Sequence, residues 1–221
     1  MTDRIQTLCA ALPKGKKLAD VGCDHGYCAE FALKNGLFER VYISDISAGS
    51  LRKAETLLQG FIESGRCIPV LADGMKGLPQ DCDCVLIAGL GGEEIVRILK
   101  EGYIPPKFVL QPMKNPEKVR AFLLKSGCRI TSDYTFGEGY YYDLIAGENA
   151  GGDRYSEWEI TYGRDNLRAP TPSFIHKLED ERAKLRTYLA RKNMQRENRE
   201  ELRARLENIE VVLHSILNPD D

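Results

Sequence analysis

The alternation of short apolar runs with amphipathic stretches constrains the fold of this chain more than any other feature of its sequence. Five runs rich in Val, Ile and Leu and bounded by Gly, Pro, Asp or Ser predict strands at 17–22, 40–46, 67–72, 82–88 and 108–111. Amphipathic segments that predict helices lie near 26–36, 47–64, 92–102 and 115–126. Strands that alternate with helices in this way indicate βαβ units and a mostly parallel sheet.

The pattern changes after Gly127. Two further β-like runs, at 128–136 and 140–146, are separated only by Gly137-Glu138-Gly139, which predicts a hairpin with no helix inside it. A parallel sheet that ends in an antiparallel hairpin resembles the class I S-adenosylmethionine (SAM)-dependent methyltransferases. This resemblance is one of fold, and it implies an α/β Rossmann-like domain with a seven-stranded, mostly parallel sheet over residues 1–150.

The last third of the chain predicts a helical extension. Residues 151–173 are rich in Gly, Pro and polar side chains and are expected to form a connection to residues 174–221. Apolar residues there recur at helical spacing in two stripes: Leu178, Leu185 and Leu189, and Leu202, Leu206, Ile209, Leu213 and Ile216. A self-packed hairpin, one long helix and an intermolecular coiled coil all fit these stripes, so the expected state is a monomer or a weak dimer.

Composition excludes several classes of protein. A hydrophobic fraction of 43% with 29% charged residues excludes a disordered tail and a disulfide mini-scaffold. The seven cysteines are an odd number without a C-x-x-C pair, which favours reduced thiols in the cytoplasm and no metal site. No segment approaches the roughly 20 apolar residues of a membrane span, so no membrane association is expected.

The strongest motif is Asp20-Val21-Gly22-Cys23-Asp24-His25-Gly26, which follows the first predicted strand and precedes a helix. Its glycines permit a tight turn close to a ligand. Dinucleotide-binding loops read G-x-G-x-x-G, whereas this loop reads D-x-G-x-D-x-G, and no P-loop pattern occurs. Acidic side chains would repel a pyrophosphate, but they suit the ammonium and sulfonium groups of SAM.

Two more acids follow the next strands. Asp45 ends the second strand, where a carboxylate can accept both ribose hydroxyls of an adenosine, and Ser47 is expected to cap the next helix. By resemblance to class I enzymes Asp73 binds the adenine amino group, with a plain Asp-Gly turn as the alternative. The predicted cofactor-binding residues are Asp20, Gly22, Asp24, Gly26, Asp45, Ile46, Asp73, Gly74, Ala88 and Gly89.

Three motifs lie on the substrate side. The fourth strand runs into A-G-L-G-G (88–92), a glycine-lined floor without the N/D-P-P-Y/F sequence of amino-directed DNA methyltransferases. The fifth strand ends at Q-P-M-K-N (111–115), at the carboxyl edge where open α/β sheets bind ligands. Tyrosines 140–142 begin the last strand, where they either pack in the core or stack on a base.

These motifs together carry a family resemblance. The elements A-D-V-G-C-D-H-G-Y (19–27), I-A-G-L-G-G (87–92), L-Q-P (110–112) and Y-D (142–143), with the helical extension, resemble the bacterial tRNA (adenine-22 N1)-methyltransferases, the TrmK family. The resemblance covers essentially the whole chain. It implies methyl transfer from SAM to N1 of an adenine in tRNA, with S-adenosylhomocysteine (SAH) as product.

Candidate catalytic residues follow from this resemblance. We expect the target base to be bordered by His25, Tyr27, Gln111 and Tyr142, with Asp143 nearby. His25 has an equal alternative as a residue that only supports the start of the helix. Two other functions remain open on the sequence: a class I methyltransferase for another RNA or a small molecule, and a non-catalytic module that binds SAM or RNA.

The near-neutral total charge of −2 conceals a basic window in the extension. Between residues 182 and 199, seven basic side chains stand against one acid. Such a window is often a solvated helix face, but phosphate neutralisation gives it a function if the substrate is RNA. The predicted RNA-contacting residues are Gly91, Gly92, Lys114, Arg182, Lys184, Arg186, Arg191, Lys192, Arg196 and Arg199.

Overall fold

A computed structural model describes residues 2–137, 139–190 and 195–218. The strands are β1 (Gly15–Val21), β2 (Phe38–Asp45), β3 (Cys67–Leu71), β4 (Cys84–Leu90), β5 (Lys107–Pro112), β6 (Arg129–Phe136) and β7 (Tyr142–Glu148). The helices are α1 (Asp3–Ala11), α2 (Tyr27–Lys34), α3 (Ala48–Glu63), α4 (Gly92–Glu101), α5 (Pro116–Lys125), α6 (Glu157–Tyr162), α7 (Arg164–Arg168), α8 (Pro172–Leu189) and α9 (Arg196–Leu217).

The seven strands form one sheet in the order β3-β2-β1-β4-β5-β7-β6. Strand β7 runs antiparallel to both β5 and β6, and the other neighbouring strands are parallel. The predicted α/β fold with a C-terminal antiparallel hairpin is therefore confirmed. Because the strand order reverses between β1 and β4, their carboxyl ends open a crevice suited to a ligand.

Alternating side chains of the sheet divide the core into two layers. In β1, Leu18 belongs to the layer that α1, α2 and α3 cover, and Ala19 belongs to the layer on the opposite face. Strand β7 repeats this alternation, with Leu144 in the first layer and Ile145 in the second. The face on which a strand residue lies therefore decides which part of the molecule its side chain reaches.

The extension is a helical hairpin within one chain. Helices α8 and α9 share an apolar core that contains Phe174, Leu178, Leu185, Ile209 and Leu213. As expected for a self-packed hairpin, α8 and α9 are two helices packed on each other rather than one long helix. The expected connection at 151–173 contains the two short helices α6 and α7. None of the helices in the described part of the chain has the length and apolar character needed to cross a bilayer.

A buried ionic network joins the sheet to α6. The guanidinium of Arg120, on α5, is fully buried, and its Nε donates to both carboxylate oxygens of Asp133 on β6, at 2.8 and 3.0 Å. Its Nη1 donates to the carbonyls of Ile160 and Thr161 at the end of α6. A buried charge is tolerated only when it is paired and hydrogen-bonded, so this network fixes the position of the connection.

Replacing Arg120 should therefore destabilise the protein strongly. Arg120→Met leaves the carboxylate of Asp133 buried without its cation, and we expect the free energy of unfolding to fall by about 3–5 kcal/mol. Equilibrium unfolding in urea measures this loss. The matched control is Arg129→Met, since Arg129 forms an exposed pair with Glu148 and should cost under about 1 kcal/mol. Equal losses in the two variants would contradict the assigned role of Arg120.

Candidate active site

The loop between β1 and α2 is held in a left-handed conformation at three positions. The φ angles are 71° at Gly22, 47° at Asp24 and 75° at Gly26. The N–H groups of Gly22 and Cys23 both donate to the carbonyl oxygen of Ser44, at 2.8 and 3.0 Å. A Cβ at position 26 would lie 3.0 Å from the Cβ of Ala54. Gly26 is thus required for both its backbone angle and its contact with α3.

The carboxylate of Asp45 is oriented by two backbone groups. Its Oδ2 accepts from the N–H of Asp24 at 3.2 Å, and its Oδ1 accepts from the N–H of Ser47 at 2.8 Å. Each carboxylate oxygen has a second lone pair left for a ligand. The side chain of Ser47 accepts from the N–H of Ser50 at the start of α3. The predicted capping role of Ser47 is therefore confirmed.

Asp73 follows β3 and is already engaged by cations. Its Oδ1 lies 2.7 Å from Nη2 of Arg97, and its Oδ2 lies 3.1 Å from Nζ of Lys76. Hydrogen bonds from Arg97 and Lys76 lower the pKa of Asp73. The carboxylate therefore stays ionised, and its remaining lone pairs are acceptors at the edge of the crevice.

These loops enclose a cavity of about 350 Å³ at the carboxyl ends of the strands. Eight predicted cofactor residues line it: Gly22, Asp24, Asp45, Ile46, Asp73, Gly74, Ala88 and Gly89. Its wall contains four carboxylates, those of Asp24, Asp45, Asp73 and Glu94. Ile46 adds a side chain that is 74% exposed, an apolar surface for a flat ring. This wall fits a nucleoside that carries positive charge, and it does not fit a pyrophosphate.

The other two predicted cofactor residues, Asp20 and Gly26, lie behind this wall. Asp20 is buried among core residues, and its carboxylate accepts from the backbone N–H of Ala29. Burial raises the pKa of Asp20 to about 7, against the lowering effect of that hydrogen bond. The prediction of direct contact is corrected: both residues shape the loop, and Val21, Gly22 and Asp24 between them line the cavity.

Two aromatic side chains stand at the start of α2. The rings of His25 and Tyr27 are stacked, with centroids 5.5 Å apart and planes within 7°. The side chain of Tyr27 is 44% exposed. The pair is not among the lining residues of the cavity, but it directly follows Asp24, which is. Parallel aromatic rings offer a surface on which a base can stack. Tyr142, on β7, packs against the ring of Phe136 at 5.5 Å.

Gln111 differs from its predicted role. It is fully buried, its Oε1 accepts from Nε of Arg4 at 2.6 Å, and its Nε2 donates to the carbonyl of Pro112 at 3.2 Å. The amide is therefore occupied on both sides and does not border a base. Gln111 instead holds the guanidinium of Arg4, a residue of the cavity wall.

Asp143 is also corrected. Its carboxylate is bound by Nζ of Lys177 at 2.7 Å, the hydroxyl of Thr135 at 2.9 Å and Nη2 of Arg120 at 3.4 Å. Burial acts to raise its pKa, but Lys177 and Arg120 outweigh burial and hold that pKa below its usual value. Because successive strand residues face opposite sides, Asp143 points away from the side of Tyr142. It joins β7 to α8 and is unavailable to a substrate.

The glycines after β4 serve close packing. Gly92 is buried, its N–H donates to the carbonyl of Lys114 at 2.8 Å, and a Cβ would lie 2.2 Å from the carbonyl oxygen of Asn115. Gly91 leaves room for the side chain of Lys114, whose Cε would lie 3.0 Å from a Cβ at position 91. The predicted RNA contact of Gly92 is therefore corrected, whereas the exposed Lys114 remains a candidate.

Part of the basic window is neutralised within the hairpin. Arg186 pairs with Glu210 of α9 at 2.7 Å, and Arg196 pairs with Glu200 at 2.8 Å. Nη1 of Arg199 donates to the carbonyl of Leu189. Arg182 and Lys184 lie on α8, and the predicted contacts Arg191 and Lys192 lie outside the described residues.

Sequence reasoning missed Arg4. It lies on α1, a helix that the sequence analysis does not predict, and it enters the cavity wall beside Gly89. Apolar residues at positions 5, 8, 9 and 12 have the spacing of a helix that covers the sheet. This spacing was the available signal for α1, but it does not reveal where the side chain of Arg4 goes.

A sheet of this order, with an acid-lined and glycine-floored cavity at the ends of β1 and β4, defines a class I methyltransferase. The family model described as "Methyltransferase domain" matches residues 1–145. The chain therefore belongs to the methyltransferase domain family, whose methyl donor is SAM.

Similar proteins include tRNA methyltransferases. A Mycoplasma pneumoniae protein provisionally named a tRNA methyltransferase is 36% identical over 154 residues, which span 66% of this chain and 70% of the relative. The Bacillus subtilis tRNA (adenine(22)-N(1))-methyltransferase is 25% identical over 165 residues, which span 72% of this chain and 68% of that protein. The solved structure of M. capricolum TrmK with SAH matches with a TM-score of 0.87 at 22% identity, and the match covers 96% of this chain and 97% of that one. The family resemblance stated from the sequence is confirmed.

Proposed function

We propose that this protein transfers a methyl group from SAM to N1 of an adenine in tRNA, at position 22, and releases SAH. The observation that carries the proposal is the acid-lined cavity at the ends of β1 and β4. The stacked rings of His25 and Tyr27 directly follow Asp24, which lines this cavity. The Bacillus subtilis relative is named for this reaction, which supports the assignment of the substrate.

Each part of the cavity has a role in holding the methyl donor. The oriented carboxylate of Asp45 accepts from ribose hydroxyls, and Asp73 accepts from the adenine amino group. Ile46 covers one face of the adenine ring, since its side chain is exposed at the rim. The floor of Gly22 and Gly89 lacks side chains that would block the approach of the methyl donor.

The chemistry needs little from the protein beyond position and charge. When bound, SAM supplies an electrophilic methyl group on a sulfonium, and adenine N1 attacks it with a free lone pair and needs no general base. Holding the base in line at contact distance supplies about 7–11 kcal/mol. The adenine becomes cationic as the methyl group arrives, and the carboxylate of Asp24 in the cavity wall favours that charge.

The adenine must leave its tRNA contacts before it can react, because N1 lies on its pairing edge. Extrusion costs a few kcal/mol, and stacking on a protein aromatic returns a similar amount. We assign this stacking to the pair of His25 and Tyr27, with Tyr142 completing the border of the base. The exposed face of Tyr27 makes it the outer platform.

The helical hairpin provides the grip on the rest of the tRNA. We assign phosphate contacts to Lys114, Arg182, Lys184, Arg191 and Lys192. Arg186 and Arg196 are already paired with Glu210 and Glu200. The leucine stripes are covered within one chain, which supports action as a monomer or a weak dimer. A cytoplasmic location is supported by the tRNA substrate and by the seven cysteines, which form no disulfide among the described residues.

The proposed function predicts a defined product. Incubation with methyl-labelled SAM and unmodified tRNAs should place the label on N1 of adenine 22, read by nuclease digestion and mass spectrometry. Tyr27→Ala should lower kcat/KM by about 10- to 100-fold because stacking on the base is lost. Its affinity for SAH should be unchanged.

The matched control is Val211→Ala, which removes an exposed apolar side chain of α9 to which we assign no contact with SAM or tRNA. This control should methylate tRNA at the wild-type rate. Label on another nucleotide, or the absence of label from every tRNA, would contradict the proposal. A wild-type rate in Tyr27→Ala would overturn the stacking assignment alone.

The hairpin assignment predicts a change in salt dependence. Arg182→Gln combined with Lys184→Gln removes two phosphate contacts, so the negative slope of log affinity against log salt should become less steep by about 1 to 2 units. Filter binding or fluorescence titration with one tRNA at several salt concentrations measures this slope. Arg203→Gln, an exposed cation on α9 outside the basic window, is the control and should leave the slope unchanged. Identical slopes in all three proteins would reject the assignment.

A further inference from the structure

The start of α8 is fastened to the β-hairpin that β6 and β7 form. The hydroxyl of Thr171, the residue that caps α8, donates to the carbonyl of Thr135 at 2.7 Å. The hydroxyl of Ser173 donates to the carbonyl of Gly137 at 2.6 Å. Both carbonyls lie at the end of β6 or directly after it, so two hydroxyls at the start of α8 fix this end of the strand.

An ion pair from the next turn of α8 completes the attachment. Nζ of Lys177 lies 2.7 Å from Oδ2 of Asp143, and the other oxygen of this carboxylate accepts from the hydroxyl of Thr135 at 2.9 Å. The side chains of Lys177 and Asp143 are 28% and 8% exposed. A largely buried pair with further hydrogen bonds keeps one geometry, so Lys177 holds Asp143 in a fixed place on β7.

These contacts lie on both sides of Tyr142. In the sheet Tyr142 is paired with Phe136, and the two carbonyls bound at the start of α8 belong to the neighbours of Phe136. Asp143, which Lys177 binds, directly follows Tyr142. The guanidinium carbon of Arg4, a residue of the cavity wall, lies 5.5 Å from the ring centroid of Tyr142. A shift of α8 would therefore move the backbone that carries this ring.

The proposed tRNA contact and this attachment share one side of α8. Ser173, Lys177 and Lys184 are spaced at helical intervals of four and seven residues, which puts them on one stripe of the helix. Lys184 is exposed, and we assign it a phosphate contact. The helical rise places it about 10 Å along the axis from Lys177. A displacement of α8 by bound tRNA would therefore also move the ion pair of Lys177.

We propose that Lys177 is a positioning residue that sets Tyr142 against the target adenine through Asp143, and so couples the helical hairpin to methyl transfer. The inference rests on the proposed function, since it names the contact that connects the assigned border of the base to the assigned grip on tRNA. Misplacement of a catalytic group by about 1 Å can cost about 100-fold in rate. A small shift of β7 is therefore enough to slow the reaction without loss of either ligand.

The variant Lys177→Met removes the cation and keeps a long side chain. We expect the single-turnover rate of methylation at saturating tRNA and SAM to fall about tenfold, because Tyr142 loses its fixed position. The Kd of SAH by titration calorimetry and the Kd of tRNA by filter binding should each change less than about twofold, since we assign neither ligand a contact with Lys177. Lys177→Arg keeps a cation that can bind the carboxylate and should recover most of the rate.

A double-mutant cycle tests the route through Tyr142. In a Tyr142→Ala background, Lys177→Met should lower the single-turnover rate by less than about twofold, because the ring that it positions is absent. Residues that act independently would instead give losses that multiply.

Two further variants complete the set. Tyr141→Phe removes a hydrogen bond of 2.9 Å from its hydroxyl to Oδ2 of Asp180 on α8, and it should lower the rate in the same way by a smaller factor. This variant leaves the buried ion pair intact, so it decides the question if Lys177→Met does not fold. Lys34→Met is the matched control and should leave the rate unchanged, because it breaks an exposed pair with Glu30, also 2.7 Å long, at the end of α2.

Several results would overturn the proposal. A wild-type rate in Lys177→Met, or losses that multiply in the cycle, would exclude a route through Tyr142. Weaker binding of tRNA with a less steep salt dependence would assign Lys177 to an RNA phosphate instead, and weaker binding of SAH would assign it a purely structural role. Wild-type protein that methylates no tRNA would contradict the proposed function itself, which is a distinct outcome from a failure of the contact between Lys177 and Asp143.

Discussion

The carbonyl oxygen of Ser44 is the anchor on which the site depends. It accepts from the N–H groups of Gly22 and Cys23 and so ties the loop after β1 to the end of β2. The left-handed residues of the loop can hold their angles because its first residues are fixed in this way and the N–H of Gly26 donates to the carbonyl of Cys23. The same loop donates the N–H of Asp24 to Asp45, so one backbone arrangement shapes the cavity and orients the carboxylate that we propose as the ribose acceptor.

A second constraint acts through the alternation of β7. Tyr142 lies on the side of α1, against Arg4, and Asp143 lies on the opposite side, against Lys177 of α8 and the buried Arg120. Two adjacent residues thus connect the cavity to the helical extension. The buried ions also fix α6, so the hairpin is attached to the catalytic domain by a network that tolerates little change.

The fold could be predicted because it follows from local patterns. Hydrophobic periodicity located all seven strands to within two or three residues, and the hairpin without a helix distinguished the sheet from other doubly wound sheets. The sequence also predicted that eight of the proposed cofactor-binding residues lie together at one cavity, since they follow strands whose carboxyl ends meet at one edge. Their positions could be predicted from the order of the strands alone.

The remaining site residues depend on contacts between distant segments. The amide of Gln111 is taken by Arg4, Asp143 is taken by Lys177, and Arg186 is paired with Glu210. The spacing of residues in the sequence does not reveal which distant side chain will bind each of these groups.

The central claim is that the cavity recognises an adenosine with a positively charged tail. Calorimetric titration of the wild-type protein with SAH and with NADH tests this claim most directly. We expect one SAH per chain, lost or strongly weakened in Asp45→Ala, and no binding of NADH; binding of NADH, or affinity for SAH unaffected by Asp45→Ala, would contradict the claim.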